Sequence, residues 1–92
     1  MIKVNEYFAG TVKSLSFENS QGKFTAGVMI KGEYEFGTST PEWMTLVKGK
    51  WTLQLPGEQS KNYAEGETCS IPSGIKFKVV CSEDSAYLCR YE

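Results

Sequence analysis

The sequence predicts an all-β fold: one domain, residues 1–92, built as a jelly-roll β-barrel. Three observations lead there. Apolar residues recur with a period of two in several short segments. Turn signals separate these segments every eight to twelve residues. No window of eleven or more residues keeps helical spacing without a Gly or a Pro.

The elements follow in chain order. Thr11 to Glu18 reads as a strand, closed by the polar turn Asn19-Ser20-Gln21-Gly22. Phe24, Ala26, Val28 and Ile30 then alternate with Lys23, Thr25, Gly27 and Met29, up to a tight reversal at Lys31-Gly32. Tyr34, Phe36 and Thr38 alternate with Glu33, Glu35 and Gly37. Two glutamates on one face turn the other face, with Phe36 and Thr38, inward. Trp51, Leu53 and Leu55 form the next strand, broken by Pro56-Gly57. Ile75, Phe77 and Val79 alternate with Lys76, Lys78 and Val80, and Tyr87 to Tyr91 closes the series. Eight or nine short strands in 92 residues leave sheet edges to protect. A barrel or double-sheet jelly roll removes most of them and leaves a mouth wide enough for one small ligand.

Composition narrows the function. A chain of this length buries roughly 60–65% of its unfolded surface, enough for one core. Any site must share that core or sit between subunits. Ten basic and eleven acidic residues give a formal charge of −1 without runs of like charge, which argues against a nucleic-acid polymer as partner. The apolar stretches are too short for a transmembrane helix, and Met1 to Glu6 does not read as a secretory signal, so the cytoplasm is expected. Cys69, Cys81 and Cys89 read as buried small hydrophobes in a reducing compartment. With no histidine in the chain, a His-ligated metal is excluded, and no side chain has an ordinary pKa near neutrality.

Two segments resemble the paired signatures of the cupin superfamily. Gly66, five residues, Pro72, one residue, Gly74, two residues and Phe77 match the spacing of the second signature, with Phe77 where cupins place a metal-binding histidine. Glu42 followed by six residues and Gly49 matches the first, with Phe36 and Thr38 at its histidine positions. Of four expected ligands only Glu42 remains, and a catalytic transition metal needs about three protein ligands. The resemblance implies a cupin-like barrel whose metal site has been converted, with no metal and no cofactor. Aromatics at the former ligand positions suit a flat ring.

A closer resemblance spans Asn5 to Tyr91. Asn5-Glu6-Tyr7-Phe8, Gly32-Glu33-Tyr34-Glu35-Phe36, Glu42-Trp43-Met44-Thr45, Leu55-Pro56 and Tyr87-Leu88-Cys89-Arg90-Tyr91 are similar to the small bacterial pyrimidine/purine nucleoside phosphorylases. That resemblance implies metal-free cleavage of purine and pyrimidine nucleosides by inorganic phosphate, giving free base and ribose 1-phosphate.

Phosphorolysis asks for an oxyanion site, a ribose site and room for a flat leaving group. Arg90, the only arginine, is a candidate phosphate ligand, since a guanidinium binds phosphate bidentately. It equally suits a salt bridge, and strand parity leaves its face open. Thr38 and Ser39 are candidate donors to phosphate or ribose, or turn caps. Glu42 is a candidate catalytic carboxylate, or a solvated loop residue. Tyr7, Phe36, Phe77 and Tyr87 are candidates to stack on the base, or core residues. A non-catalytic sugar or nucleotide binder, a metal-free sugar isomerase or epimerase, and a pure interaction domain are the competing readings. An exposed edge at Ile2 to Tyr7 suggests a homodimer.

Overall fold

The structure is a computed structural model, and it describes residues 2–92. Ten strands alternate with short turns: β1 (Lys3–Tyr7), β2 (Val12–Asn19), β3 (Gly22–Met29), β4 (Gly32–Gly37), β5 (Glu42–Lys48), β6 (Trp51–Gln54), β7 (Lys61–Tyr63), β8 (Thr68–Ile71), β9 (Lys76–Cys81) and β10 (Ser85–Tyr91). A single 3-10 turn, Phe8–Gly10, joins β1 to β2. Ten strands exceed the eight or nine expected. Glu42 lies at the start of β5, not in a loop.

All strand pairs are antiparallel. One sheet has six strands in the order β1-β2-β3-β10-β5-β8, and the other has four in the order β4-β9-β6-β7. Neighbours distant in sequence, such as β3 beside β10, mark jelly-roll crossovers. Among the described residues no ladder joins the two sheets, so the jelly roll is open and not a hydrogen-bonded barrel.

The core fills the space between the sheets. Val12, Met29, Leu46, Ile71 and Val79 are fully shielded from solvent. Each such side chain contributes about 1.5–3 kcal/mol by burial. Alternation placed Tyr34, Phe36 and Thr38 inward, and they are buried or packed on the core. Trp51, Leu53, Phe77 and Val79 do the same from the four-stranded sheet. The three cysteines are free and buried. Among the described residues, no helix is long and apolar enough to cross a membrane.

Candidate active site

Period two in β10 decides the site. Ser85, Tyr87 and Cys89 are buried on the inner face, and Tyr91 shares their parity. β10 sits between β3 and β5, so these residues stand at the centre of the six-stranded sheet. Its register against β5 places Tyr91 opposite Glu42, Cys89 opposite Met44 and Tyr87 opposite Leu46. The facing sheet supplies Phe36 and Phe77, opposite each other on β4 and β9 with ring centroids 5.9 Å apart. Tyr7 and Phe8, at the end of β1, complete the rim.

These groups enclose a cavity of about 490 Å³, within the range of small-molecule sites. Phe8 reaches it through an unusual backbone: φ is +52° at Phe8 and +57° at Ala9. Left-handed backbone at a bulky residue costs about 1–2 kcal/mol. Such strain gathers at functional positions. The Phe8 ring packs 5.1 Å from Tyr34 and 5.5 Å from Phe36.

The polar chemistry centres on one carboxylate. Cys89 Sγ donates to Glu42 Oε1 at 3.4 Å. Partial burial raises the pKa of Glu42, and the thiol hydrogen bond offsets part of that rise. Burial and then the Glu42 charge push the Cys89 thiol up to about 12, so it donates and does not act as a thiolate. Burial, above all, pushes Tyr87 up to about 12. Tyr91 is also raised, chiefly by burial, and its hydroxyl shares a 3.1 Å hydrogen bond with Thr25 Oγ1. Among the described residues, no three metal-ligating side chains come together.

Five of the eight expected site residues line this cavity: Tyr7, Phe36, Glu42, Phe77 and Tyr87. Three do not. Thr38 Oγ1 donates to the Pro72 carbonyl at 2.7 Å and accepts from the Ile75 N–H at 3.3 Å. The hydroxyl is consumed in tying the Thr38 turn to the Pro72–Ile75 turn, which leaves it no part in the cavity. Ser39 lies past the end of β4, where the chain has turned away into solvent. The parity left open for Arg90 resolves to the outer face, away from the cavity. Arg90 alternates with Cys89 and Tyr91, so its guanidinium stacks 4.1 Å over the Trp43 ring and pairs with Glu92 at 3.6 Å. Phe8, Cys89 and Tyr91 are site residues that the sequence reading did not single out. The shared parity of Tyr87, Cys89 and Tyr91 was the available signal for two of them. Phe8 stood only within the Asn5-Glu6-Tyr7-Phe8 string, with no alternation to turn it toward a cavity.

Two facing antiparallel sheets in jelly-roll order, with a ligand-sized cavity between them, define a cupin-type fold. The chain superposes on an RmlC-like cupin from Shewanella frigidimarina with a TM-score of 0.78, covering 98% of this chain and 82% of that one at 16% identity, a likeness of fold alone. A protein of unknown function from Vibrio parahaemolyticus gives a TM-score of 0.96 at 42% identity, covering 100% of this chain and 99% of that one. A pyrimidine/purine nucleoside phosphorylase of Pseudomonas aeruginosa is 50% identical over 92 residues, 99% of each chain. The model of the pyrimidine/purine nucleoside phosphorylase family matches residues 2–91. This chain belongs to that family.

Proposed function

We propose that the protein is a metal-independent nucleoside phosphorylase. It cleaves purine and pyrimidine ribonucleosides with inorganic phosphate, giving free base and α-D-ribose 1-phosphate. One observation carries this reading: a half-buried carboxyl, Glu42, faces a cavity walled by Tyr7, Phe36, Phe77 and Tyr87. Family membership supports it.

The base lies against the aromatic wall. Stacking recognises the π-face that every nucleobase has, so purines and pyrimidines are both accepted. A phosphate oxygen bonds to the anomeric carbon as the C–N bond breaks, and that electron pair leaves on the base nitrogen. Glu42, whose pKa burial raises, is the group placed to give a proton to the base. It regains one from the hydrogen phosphate, whose hydroxyl proton is surplus once the ester forms. Protons therefore balance without a histidine. Holding phosphate and sugar together supplies up to roughly 7–11 kcal/mol of the barrier reduction.

The working unit in this reading is a homodimer in the cytoplasm. β1 presents an unpaired strand edge. Beside it Val4, Leu15, Val28, Val47 and Leu88 are exposed on the outer face of the same sheet, an apolar surface that a second copy would cover.

The test is incubation with inosine or uridine and phosphate. Phosphate-dependent release of base with ribose 1-phosphate, unchanged by EDTA, is the expected result. No base from any ribonucleoside would overturn the reading. EDTA inactivation reversed by a divalent ion would overturn its metal-free part.

A further inference from the structure

The aromatic cavity lacks the charge that an oxyanion needs. Its lining carries Glu35 and Glu42 and no Lys or Arg, and Arg90 stands on the opposite face of the sheet. A second hollow of about 410 Å³ adjoins it. Tyr7 and Tyr91 line both. The second hollow lies against β1, β2 and β3, where Lys3, Asn5, Ser16, Lys23 and Thr25 converge beside the Glu18 carboxylate.

Sheet register fixes this arrangement. Lys3, Ser16 and Thr25 face one another across β1, β2 and β3. On the next row Lys23 stands opposite Tyr91, and Tyr91 opposite Glu42. Lys23 and Glu42 are therefore two strands apart, roughly 10 Å between backbones. Lys23 lines the second hollow together with Tyr91, which also lines the aromatic cavity.

The donors are free to serve an anion. Neither lysine is in an ion pair among the described residues. Glu18 stands opposite Lys23 on the hairpin without pairing with it. Asn5 Nδ2 donates to Ser16 Oγ at 2.9 Å, which leaves the Ser16 proton available. Thr25 and Tyr91 share one hydrogen bond between two hydroxyls, so one proton of that pair remains.

We propose that this shelf binds inorganic phosphate, with Lys23 and Lys3 supplying charge and Ser16 and the Thr25–Tyr91 pair donating to its oxygens. The attacking oxygen then enters the aromatic cavity past Tyr91. The inference deepens the phosphorolytic reading and rests on it for the identity of the anion.

The test compares wild type, Lys3→Gln/Lys23→Gln, and Lys13→Gln/Lys48→Gln, which removes equal charge at two lysines paired with Glu6 and Glu65 away from the shelf. KM for phosphate is expected to rise at least tenfold in the first variant, with KM for inosine within about twofold. The control variant keeps both. Inorganic phosphate titrated into 15N-labelled wild type shifts the amides of Ser16, Lys23 and Thr25, and in the shelf variant it does not. Unchanged phosphate KM in the shelf variant, or phosphate shifts centred on Trp43 and Arg90, overturns the shelf and leaves phosphorolysis standing. Saturable shifts at the shelf in a protein that releases no base support an anion site while removing the phosphorylase reading.

Discussion

Tyr87 lies on Gly27. The two residues face each other across β10 and β3, and a Cβ at position 27 would stand 2.5 Å from the Tyr87 hydroxyl. Only glycine leaves room for that ring, which also packs 5.9 Å from Trp51 and forms part of the cavity wall. Gly27→Ala is expected to cost about 1–3 kcal/mol by overpacking. It should also raise KM for nucleoside, because the phenol is pushed toward the bound base. Urea unfolding and inosine kinetics test both parts. In Gly27→Ala/Tyr87→Leu the stability losses should fall short of additive. Strict additivity would show that the pair does not constrain the wall.

Glu42→Gln keeps the shape of the cavity and removes the proposed proton carrier. Loss of general acid catalysis predicts a fall in kcat of roughly 10²–10⁴, with the fold intact by circular dichroism. The folded pKa of Glu42 is raised. Its contribution to stability is therefore fully present below the unfolded carboxyl pKa and declines as pH rises through the folded value. Glu42→Gln should gain stability relative to wild type between acid and neutral pH. Melting temperatures measured across that window check the sign.

Cys89 tunes that carboxyl. Its thiol donates to Glu42 Oε1 and favours the ionised form. Cys89→Ala removes the donor and should move the alkaline limb of the kcat profile to higher pH. Cys89→Ser substitutes a stronger donor and should move it to lower pH. Limbs that coincide in all three proteins would detach the thiol from the chemistry.

Arg90→Ala should leave KM for phosphate within about threefold, because the guanidinium is spent on Trp43 and Glu92. The stability loss should be about 0.5–1 kcal/mol, the size of an exposed cation–π contact. Abolished phosphate dependence would return Arg90 to the reaction.

The proposed homodimer rests on the apolar outer face that includes Val28, which is 55% exposed. Val28→Glu should halve the mass measured by light scattering while leaving far-ultraviolet circular dichroism unchanged. A wild type that is monomeric at micromolar concentration would end that proposal.

Much of the fold was legible along the chain because a pleated strand exposes its two faces alternately. Tyr34, Phe36 and Phe77 went inward on that rule alone. β5 and β8 were harder. Trp43, Met44, Leu46 and Val47 mix apolar residues on both faces, since the outer face of this sheet is itself apolar. Thr68 to Ile71 is too short to show a period.

Residue types alone excluded histidine chemistry, and the resemblance to cupins, not composition, pointed to Phe36, Phe77 and Glu42. Parity within β10 could be counted, but not which parity faces the core. Packing decided that, by burying Cys89 and Tyr87 and leaving Arg90 outside. The meeting of Lys23, Tyr91 and Glu42 on one row likewise required the register of three strands distant in sequence. Register is a long-range property, set by how the sheets close over the core, and no local window contains it.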